Sequence, residues 1–243
     1  MAQKLFIWLS RRVISSSLIA RMSWESYAKA DAIVALTPHE AGLMRSLFDA
    51  PSSRVHVVPN GVEAAFLESE PAERGPWLVC TATITKRKRV LELARAAVAA
   101  MIPVWIIGRP YDDQDSYGRA FIEYARENSR YVRYEGPVND RKALARIYRE
   151  ARGFVLLSTM ESLSLSALEA SACGSPLLLS NLPWATTTFK QSVQFVNEGD
   201  EVQALKKFYA DAPTLPAPRK PESWLDVASQ LKSLYARVLK TSS

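Results

Sequence analysis

Residues 161–176 read ESLSLSALEASACGSP, and the interpretation of the whole chain rests on this stretch. The apolar run at residues 154–157, just before it, predicts a short buried strand. Leucine and alanine at helical spacing then predict a helix that begins near Leu163 and has Leu165 on its apolar face. Gly174 is a typical helix end. The stretch is therefore predicted to be the strand-to-helix connection of an α/β fold.

Two glutamates flank the start of this predicted helix. Glu161 lies between the strand and the helix, and Glu169 lies about two turns later, roughly 12 Å away at ~1.5 Å rise per residue. The backbone N–H groups and the positive end of the helix dipole between them favour a diphosphate. A carboxylate accepts hydrogen bonds only, so each glutamate suits neighbouring hydroxyls, on a ribose or on a sugar. The alternative is that both glutamates are solvated surface residues.

The sequence around the two glutamates carries a family resemblance. Glu161 and Glu169, separated by residues 162–168 and followed by ASACGSP over residues 170–176, resemble the signature of the retaining family-four glycosyltransferases, which have the two-domain GT-B fold. The resemblance implies that Glu161 is the catalytic-site carboxylate that holds the hydroxyls of the donor sugar. It also implies that Glu169 holds the ribose of a UDP- or GDP-linked sugar, which is a substrate, so no cofactor is expected.

A basic loop, TATITKRKRV at residues 81–90, resembles the family's loop that contacts the donor diphosphate. Lys88 matches the lysine of that loop, and Arg89 beside it is predicted to contribute to donor binding. A lysine here would offset phosphate charge and stabilise the departing nucleoside diphosphate. The family's glycine and arginine just ahead are replaced within residues 81–83, which leaves Lys86 or Arg87 as the substitute. Taken alone, the basic run also fits a solvated turn.

Further donor-binding candidates come from the same resemblance. Gly108 matches a family glycine at a strand end, where the absence of a side chain allows a ligand to approach the backbone. Ser158 and the backbone amides that follow Glu161 lie where a diphosphate would rest against the helix N-terminus. The residues that carry these amides in the prediction are Ser162, Leu163, Ser164 and Leu165.

The second two thirds of the chain alternates strand-like and helix-like segments. Strands are predicted at residues 77–81, 103–107, 131–134, 154–157, 176–179 and 193–196, and helices at residues 90–101, 119–128 and 140–151. This alternation predicts an α/β, Rossmann-like parallel sheet with helices on both faces and ligands at the carboxyl ends of the strands. We predict three segments: an acceptor-side remnant at 1–66, a nucleotide-sugar-binding domain at 67–220, and a C-terminal helix at 221–243 that packs back on the first segment.

The first 66 residues resemble the end of the family's first domain. Residues 1–30 read as a basic, partly apolar helix, for which contact with a membrane surface and packing on the protein are alternatives. Thr37 and Pro38, with Glu40 after them, form a helix start. The turn at residues 59–62 matches the family's turn before its interdomain linker. Because only about 60 residues precede it, well short of a typical domain, most of the acceptor-binding domain is expected to be missing.

The composition of the chain limits the ligands, the partners and the location that are expected. The chain has 243 residues, 48% of them hydrophobic, and a net charge of +6, values ordinary for a globular protein that binds anionic ligands. Basic and aromatic residues do not interleave as a nucleic-acid platform requires, so no nucleic-acid partner is expected. Two cysteines predict no disulfide framework and a cytoplasmic location, with peripheral membrane contact left open. No membrane-spanning helix and no signal peptide are predicted.

The predicted function is therefore transfer of a hexose from a nucleotide-diphosphate sugar to a hydroxyl of a glycan or lipid-linked acceptor, with retention. With most of the first domain expected to be missing, transfer is predicted to depend on the missing domain, on a partner chain or on a homo-oligomer, and these alternatives stay open. A nucleotide-sugar-binding module without turnover is the second hypothesis, and a sugar-nucleotide epimerase is a third. Asp113 and Asp115 form an Asp-x-Asp pair that would bind a divalent metal in the other main glycosyltransferase fold, although their polar loop also fits a plain connector. The glutamate motif requires no metal.

Overall fold

The structure is a computed structural model that describes residues 25–68, 70, 72–112, 114–189 and 193–241. The chain forms two compact units. One comprises residues up to Asn60 together with those from Leu225 onward, and the other is Gly61–Trp224. The helix predicted over residues 1–30 lies largely outside the described residues, within which helix α1 spans Glu25–Lys29.

The larger unit is built on a six-stranded, entirely parallel sheet. Its strands are β3 (Leu78–Thr81), β4 (Val104–Ile107), β5 (Val132–Tyr134), β6 (Gly153–Leu156), β7 (Leu177–Ser180) and β8 (Val193–Val196). All six predicted strands are present, each within one or two residues of its predicted bounds. β3, β6 and β7 are almost continuously buried, as expected of parallel strands covered on both faces.

Helices connect these strands and cover both faces of the sheet. They are α3 (Ala64–Leu67), α4 (Val90–Ala100), α5 (Ser116–Glu127), α6 (Arg141–Glu150), α7 (Leu165–Ala172), α8 (Pro183–Thr188) and α9 (Glu201–Asp211). The predicted fold class, a Rossmann-like α/β sheet, is confirmed. α3, α8 and α9 were not predicted; the first two are only four and six residues long.

The strand order β5-β4-β3-β6-β7-β8 reverses direction at β3. The chain moves outward from β3 through β4 and β5 on one side, and then returns to β6 on the other side. Such a reversal leaves a crevice at the carboxyl ends of the central strands, where ligands bind in open α/β sheets. The loops after β3 and β6 flank this crevice and carry most of the predicted site residues, while Gly108 lies in the loop after β4.

Helix α7 differs from its prediction at its first turn. It begins at Leu165 rather than near Leu163, because the side chain of Ser164 is the N-cap and accepts a hydrogen bond from the amide of Ala167. Leu165 was predicted on the buried face but is 45% exposed, whereas Leu168 is buried. The helix ends as predicted, with Gly174 in a left-handed conformation.

The smaller unit contains a two-stranded parallel sheet of β1 (Ile33–Ala35) and β2 (Val55–Val57). Helix α2 (Pro38–Phe48) begins as predicted, with Thr37 accepting a hydrogen bond from the amide of Glu40. In this unit α10 (Trp224–Thr241) buries Val227 and Leu234. Helical spacing in the sequence predicts an apolar stripe that includes Val227 and Tyr235. The stripe is wrong in part, because Tyr235 is 60% exposed and Leu234, which is not part of it, is buried.

Within the described residues, none of the helices combines the length and apolar content that crossing a membrane requires.

Candidate nucleotide-sugar site

A cleft of about 890 Å³ lies at the carboxyl ends of β3, β4 and β5 and beside the first turn of α7. Its walls come from the loops after β3, β4 and β5, the start of α6, and α7. These segments are far apart in the sequence but adjacent at this edge of the sheet. The lining residues are Thr81, Ala82, Thr83, Ile107, Gly108, Arg109, Pro110, Tyr111, Asp112, Pro137, Val138, Arg141, Leu144, Leu165, Ser166 and Glu169. The cleft occupies the crevice that the strand order predicts.

Gly108 follows β4 and forms part of the cleft wall. Its φ of +150° is a conformation that side chains disfavour, and a Cβ placed there would lie 1.9 Å from the carbonyl oxygen of Ala82. The Gly108 amide donates to the carbonyl of Gly136, which links the loops after β4 and β5. The close approach of the loop after β3, at Ala82, therefore explains why a glycine is needed at residue 108.

Glu169 lines the same cleft from the second turn of α7. Its side chain is only 13% exposed, and one carboxylate oxygen accepts a hydrogen bond from the hydroxyl of Tyr148 at 3.3 Å. The other oxygen lies 3.6 Å from a guanidinium nitrogen of Arg141. Burial raises the pKa of Glu169, while Arg141 and the Tyr148 hydrogen bond oppose that shift.

Arg141 is a cleft residue that the sequence reasoning missed. It is the first residue of α6, and its guanidinium joins Glu169 to Glu63, whose carboxylate lies 3.0 Å away. Asp140 caps this helix through the amides of Lys142 and Ala143, which fixes where Arg141 emerges. The sequence feature that could have identified Arg141 is its position just after the loop that follows β5, at the edge of the sheet where ligands bind.

Glu161 lies in the loop between β6 and α7 and is 9% exposed. It forms an ion pair with Lys88, accepts a hydrogen bond from the hydroxyl of Ser158 at 2.7 Å, and lies 3.4 Å from Arg87. The guanidinium of Arg87 also donates to the carbonyl of Met160. The structure thus brings three predicted residues, Glu161, Lys88 and Ser158, into one cluster.

The first turn of α7 presents Leu165 and Ser166 to the cleft. Ser164 is buried as the N-cap, and its hydroxyl also bonds to that of Ser166. Leu163 is buried and Ser162 is exposed. Among the predicted amides, that of Leu165 therefore belongs to a residue that lines the cleft.

Arg89 is placed away from the cleft lining. Its guanidinium pairs with Glu201 at 2.7 Å and Glu198 at 3.6 Å, at the start of α9. The short helical turn Lys86–Lys88, capped by Thr85, places Lys88 toward Glu161 and leaves Arg89 in a left-handed conformation pointing to α9. Adjacent basic residues of the predicted phosphate loop therefore have different partners.

The Asp-x-Asp alternative is not supported by Asp115. Its carboxylate caps α5 by accepting from the amides of Tyr117 and Gly118, while Asp113 lies outside the described residues. Within the described part of the chain, no group of three or more acidic, histidine or cysteine side chains is arranged to hold a metal ion.

Comparison with known proteins agrees with the fold and with the sequence motif. Residues 75–210 match the family described as Glycosyl transferases group 1, and residues 4–66 match Glycosyltransferase Family 4. The chain is 33% identical over 180 residues to a D-inositol 3-phosphate glycosyltransferase of Jonesia denitrificans, covering 64% of this chain and 42% of the relative. A protein of the same name from Frankia alni is 30% identical over 175 residues, covering 63% and 43%.

Solved structures share the fold. Sucrose-phosphate synthase from Thermosynechococcus elongatus superposes with a TM-score of 0.72 at 24% identity, over 96% of this chain and 65% of that chain. HepE of Anabaena, in complex with UDP, gives a TM-score of 0.71 at 12% identity, over 92% and 69%. The chain spans between 37% and 43% of the length of the curated relatives it matches. The match over residues 75–210 covers more than half of the sequence, and the chain belongs to the group 1 glycosyl transferases.

Proposed function

We propose that the chain binds a nucleotide-diphosphate sugar in this cleft and transfers its hexose to an acceptor hydroxyl with retention of configuration. The observation that carries the proposal is the position of Glu169 and the first turn of α7 in one cleft at the reversal of strand order. A carboxylate and free helix N–H groups suit the two chemically different parts of a nucleotide, its ribose and its diphosphate. The family match supports the same assignment.

In this proposal Glu169 binds the ribose. Its two oxygens have about four lone-pair positions, of which Tyr148 and Arg141 occupy two. The remaining two are enough to accept both hydroxyls of a ribose. The 2′ and 3′ hydroxyls of the nucleotide would then lie against the second turn of α7, and the diphosphate would extend toward its first turn.

Lys88 and Glu161 serve the reacting end of the donor. Lys88 supplies positive charge to the diphosphate that leaves when the bond to the anomeric carbon breaks, and so lowers the energy of the transition state. Glu161 accepts hydrogen bonds from hydroxyls of the transferred sugar. Their ion pair keeps both groups oriented before the donor arrives, with Ser158 and Arg87 holding the other sides of the carboxylate.

The donor nucleotide in this proposal is UDP or GDP. UDP has support from solved structures of the same fold, namely HepE in complex with UDP and the pneumococcal O-GlcNAc transferase GtfA in complex with UDP and GlcNAc. Arg109 lines the cleft beside Gly108 and brings a positive charge to it, in a chain where Thr83 stands near the family's arginine position. A glycan or lipid-linked acceptor, together with a partner chain that completes the acceptor side, belongs to the same proposal.

A panel of UDP-, GDP- and ADP-sugars tests the proposal in two steps. Thermal unfolding first identifies the donor that raises the Tm, and a coupled assay for released nucleoside diphosphate then measures turnover with simple sugars, inositol phosphate and lipid extracts as acceptors. We expect one donor class to stabilise the chain and to be consumed. Glu169→Gln should abolish both effects, whereas Glu123→Gln, an exposed change on α5, should preserve them.

A nucleotide-sugar-binding module is the second candidate. The observation that favours it is that Lys88 and Glu161, which the proposal assigns to the reacting end of the donor, pair with each other and are not among the residues that line the cleft. Saturable binding without consumption of any donor, under all acceptors tested, would support the module and contradict transfer. The absence of binding by every donor would contradict both functions.

A further inference from the structure

Tyr148 is a tyrosine that is completely buried beneath the cleft, on helix α6. Its ring packs against Phe66 at a centroid distance of 6.0 Å and against Phe154 at 5.9 Å. A phenylalanine would satisfy both ring contacts. The hydroxyl therefore needs a separate explanation, because burying a polar group costs free energy unless it is hydrogen-bonded.

The hydroxyl bridges two cleft residues. It donates to Glu169 at 3.3 Å and is hydrogen-bonded to the hydroxyl of Thr81, the last residue of β3. A phenol carries one proton, so when it donates to the carboxylate the remaining bond must be donated by Thr81. The resulting order, Thr81 to Tyr148 to Glu169, makes each bond strengthen the next. Burial and the charge of Glu169 raise the pKa of Tyr148, so the phenol keeps its proton.

This arrangement fixes the orientation of the carboxylate. Tyr148 holds one oxygen of Glu169 and Arg141 lies beside the other, so the plane of the carboxylate cannot rotate freely. The two lone-pair positions of Glu169 that remain free to accept hydrogen bonds can then face two adjacent hydroxyls at once. Without Tyr148, one oxygen would lose its only described partner and could turn away from the cleft.

We propose that Tyr148 is a positioning residue that makes the cleft selective for a nucleotide with an intact 2′,3′-diol. The inference rests on the proposed binding of a nucleotide in this cleft. It goes further by naming the residue that sets the preference for ribose over deoxyribose, and Thr81, at the end of β3, as the residue that orients its hydroxyl.

The test compares ribose and 2′-deoxyribose nucleotides on two forms of the chain. UDP, 2′-deoxy-UDP, GDP and 2′-deoxy-GDP are titrated calorimetrically into the unaltered chain and into Tyr148→Phe. We expect the unaltered chain to prefer the ribose form about tenfold, and Tyr148→Phe to weaken the ribose form about tenfold with a much smaller effect on the deoxy form. Tyr209→Phe, a change on α9 at a residue that does not line the cleft, is the matched control and should leave the preference unchanged.

The outcomes separate this inference from the proposed function. If UDP or GDP binds and Tyr148→Phe keeps the full preference for ribose, or weakens both forms equally, the positioning role is overturned while nucleotide binding stands. If neither nucleotide binds to the unaltered chain, both are overturned. Should Tyr148→Phe fail to fold, Thr81→Val is the second variant. It removes the hydroxyl that donates to Tyr148 and is expected to reduce the preference for ribose. An unchanged preference in Thr81→Val overturns the positioning role.

Discussion

The ammonium group of Lys88 and the carboxylate of Glu161 form an ion pair between the loop after β3 and the loop after β6. The two side chains are 13% and 9% exposed, so the pair is largely removed from water. The residue that the resemblance assigns to the diphosphate and the residue it assigns to the donor sugar are thus in direct contact. A donor molecule would bind to a preorganised cluster rather than to two independent side chains.

This pairing makes a prediction about stability. Lys88→Met should lower the free energy of unfolding by about 3 kcal/mol, because it leaves a nearly buried carboxylate without its ammonium partner. Adding Glu161→Gln to the Lys88→Met variant should restore at least about 1 kcal/mol of the lost free energy of unfolding. Urea unfolding of the two single variants and the double variant measures the coupling. Lys142→Met, an exposed change, is the control, and additive losses at Lys88 and Glu161 would contradict the pairing.

Gly108 and Gly136 should respond differently to alanine. Gly108→Ala places a methyl group against the carbonyl of Ala82 and should destabilise the chain by about 3 kcal/mol. Gly136 also has a positive φ, of +87°, but nothing lies within 4 Å of a Cβ there, so Gly136→Ala should cost only about 1 kcal/mol. Thermal and urea unfolding measure both. Equal losses would show that close packing of the cleft wall is not what requires Gly108.

Glu169 should make stability depend on pH. Burial raises its folded-state pKa above the ordinary value of 4.5, so the folded chain holds this proton more tightly than the unfolded chain does. The contribution of Glu169 is therefore most favourable below about pH 4.5 and is lost as pH rises through the raised pKa. Relative to Glu169→Gln, the unaltered chain should lose free energy of unfolding between pH 4.5 and pH 7. A difference that is flat or rises over this range would contradict the effect of burial.

The cysteines should be unreactive in the folded chain. Burial raises the pKa of Cys80 to about 12 and that of Cys173 to about 11, and the thiolate is the reactive form. Iodoacetamide at pH 8 should modify both at least about tenfold more slowly than free cysteine, as followed by mass spectrometry. Complete modification in urea is the control. Rapid labelling of either cysteine in the folded chain would contradict the raised pKa of its thiol.

The sequence predicted the six strands of the larger sheet and the two glutamates, but not three of the helices or the contacts between distant residues. The six strands follow from short apolar runs, which are local features. Local features could not predict Arg141 or the partner of Lys88. Arg141 belongs to no motif, and the pairing of Lys88 with Glu161 joins residues 73 positions apart. Tyr148 falls at the helical spacing of the apolar residues of α6, and that spacing says nothing about where its hydroxyl points.

The start of α7 shows a second limit of sequence patterns. Ser162, Ser164 and Ser166 all precede or enter the helix, and each is a suitable N-cap residue. The structure selects Ser164 because its hydroxyl reaches the amide of Ala167, which moves the helix start past Leu163 and exposes Leu165 to the cleft. Because all three residues are serines, only the structure identifies which of them is the N-cap.

The measurement that tests the central claim most directly is calorimetric titration of the chain with a nucleoside diphosphate and its monophosphate. We predict that UDP or GDP binds at one site, more tightly than UMP or GMP because of Lys88 and the first turn of α7. We also predict that Glu169→Ala weakens the diphosphate at least about tenfold. No binding of either diphosphate, or the same isotherm in Glu169→Ala as in the unaltered chain, would contradict the assignment of this cleft to a nucleotide.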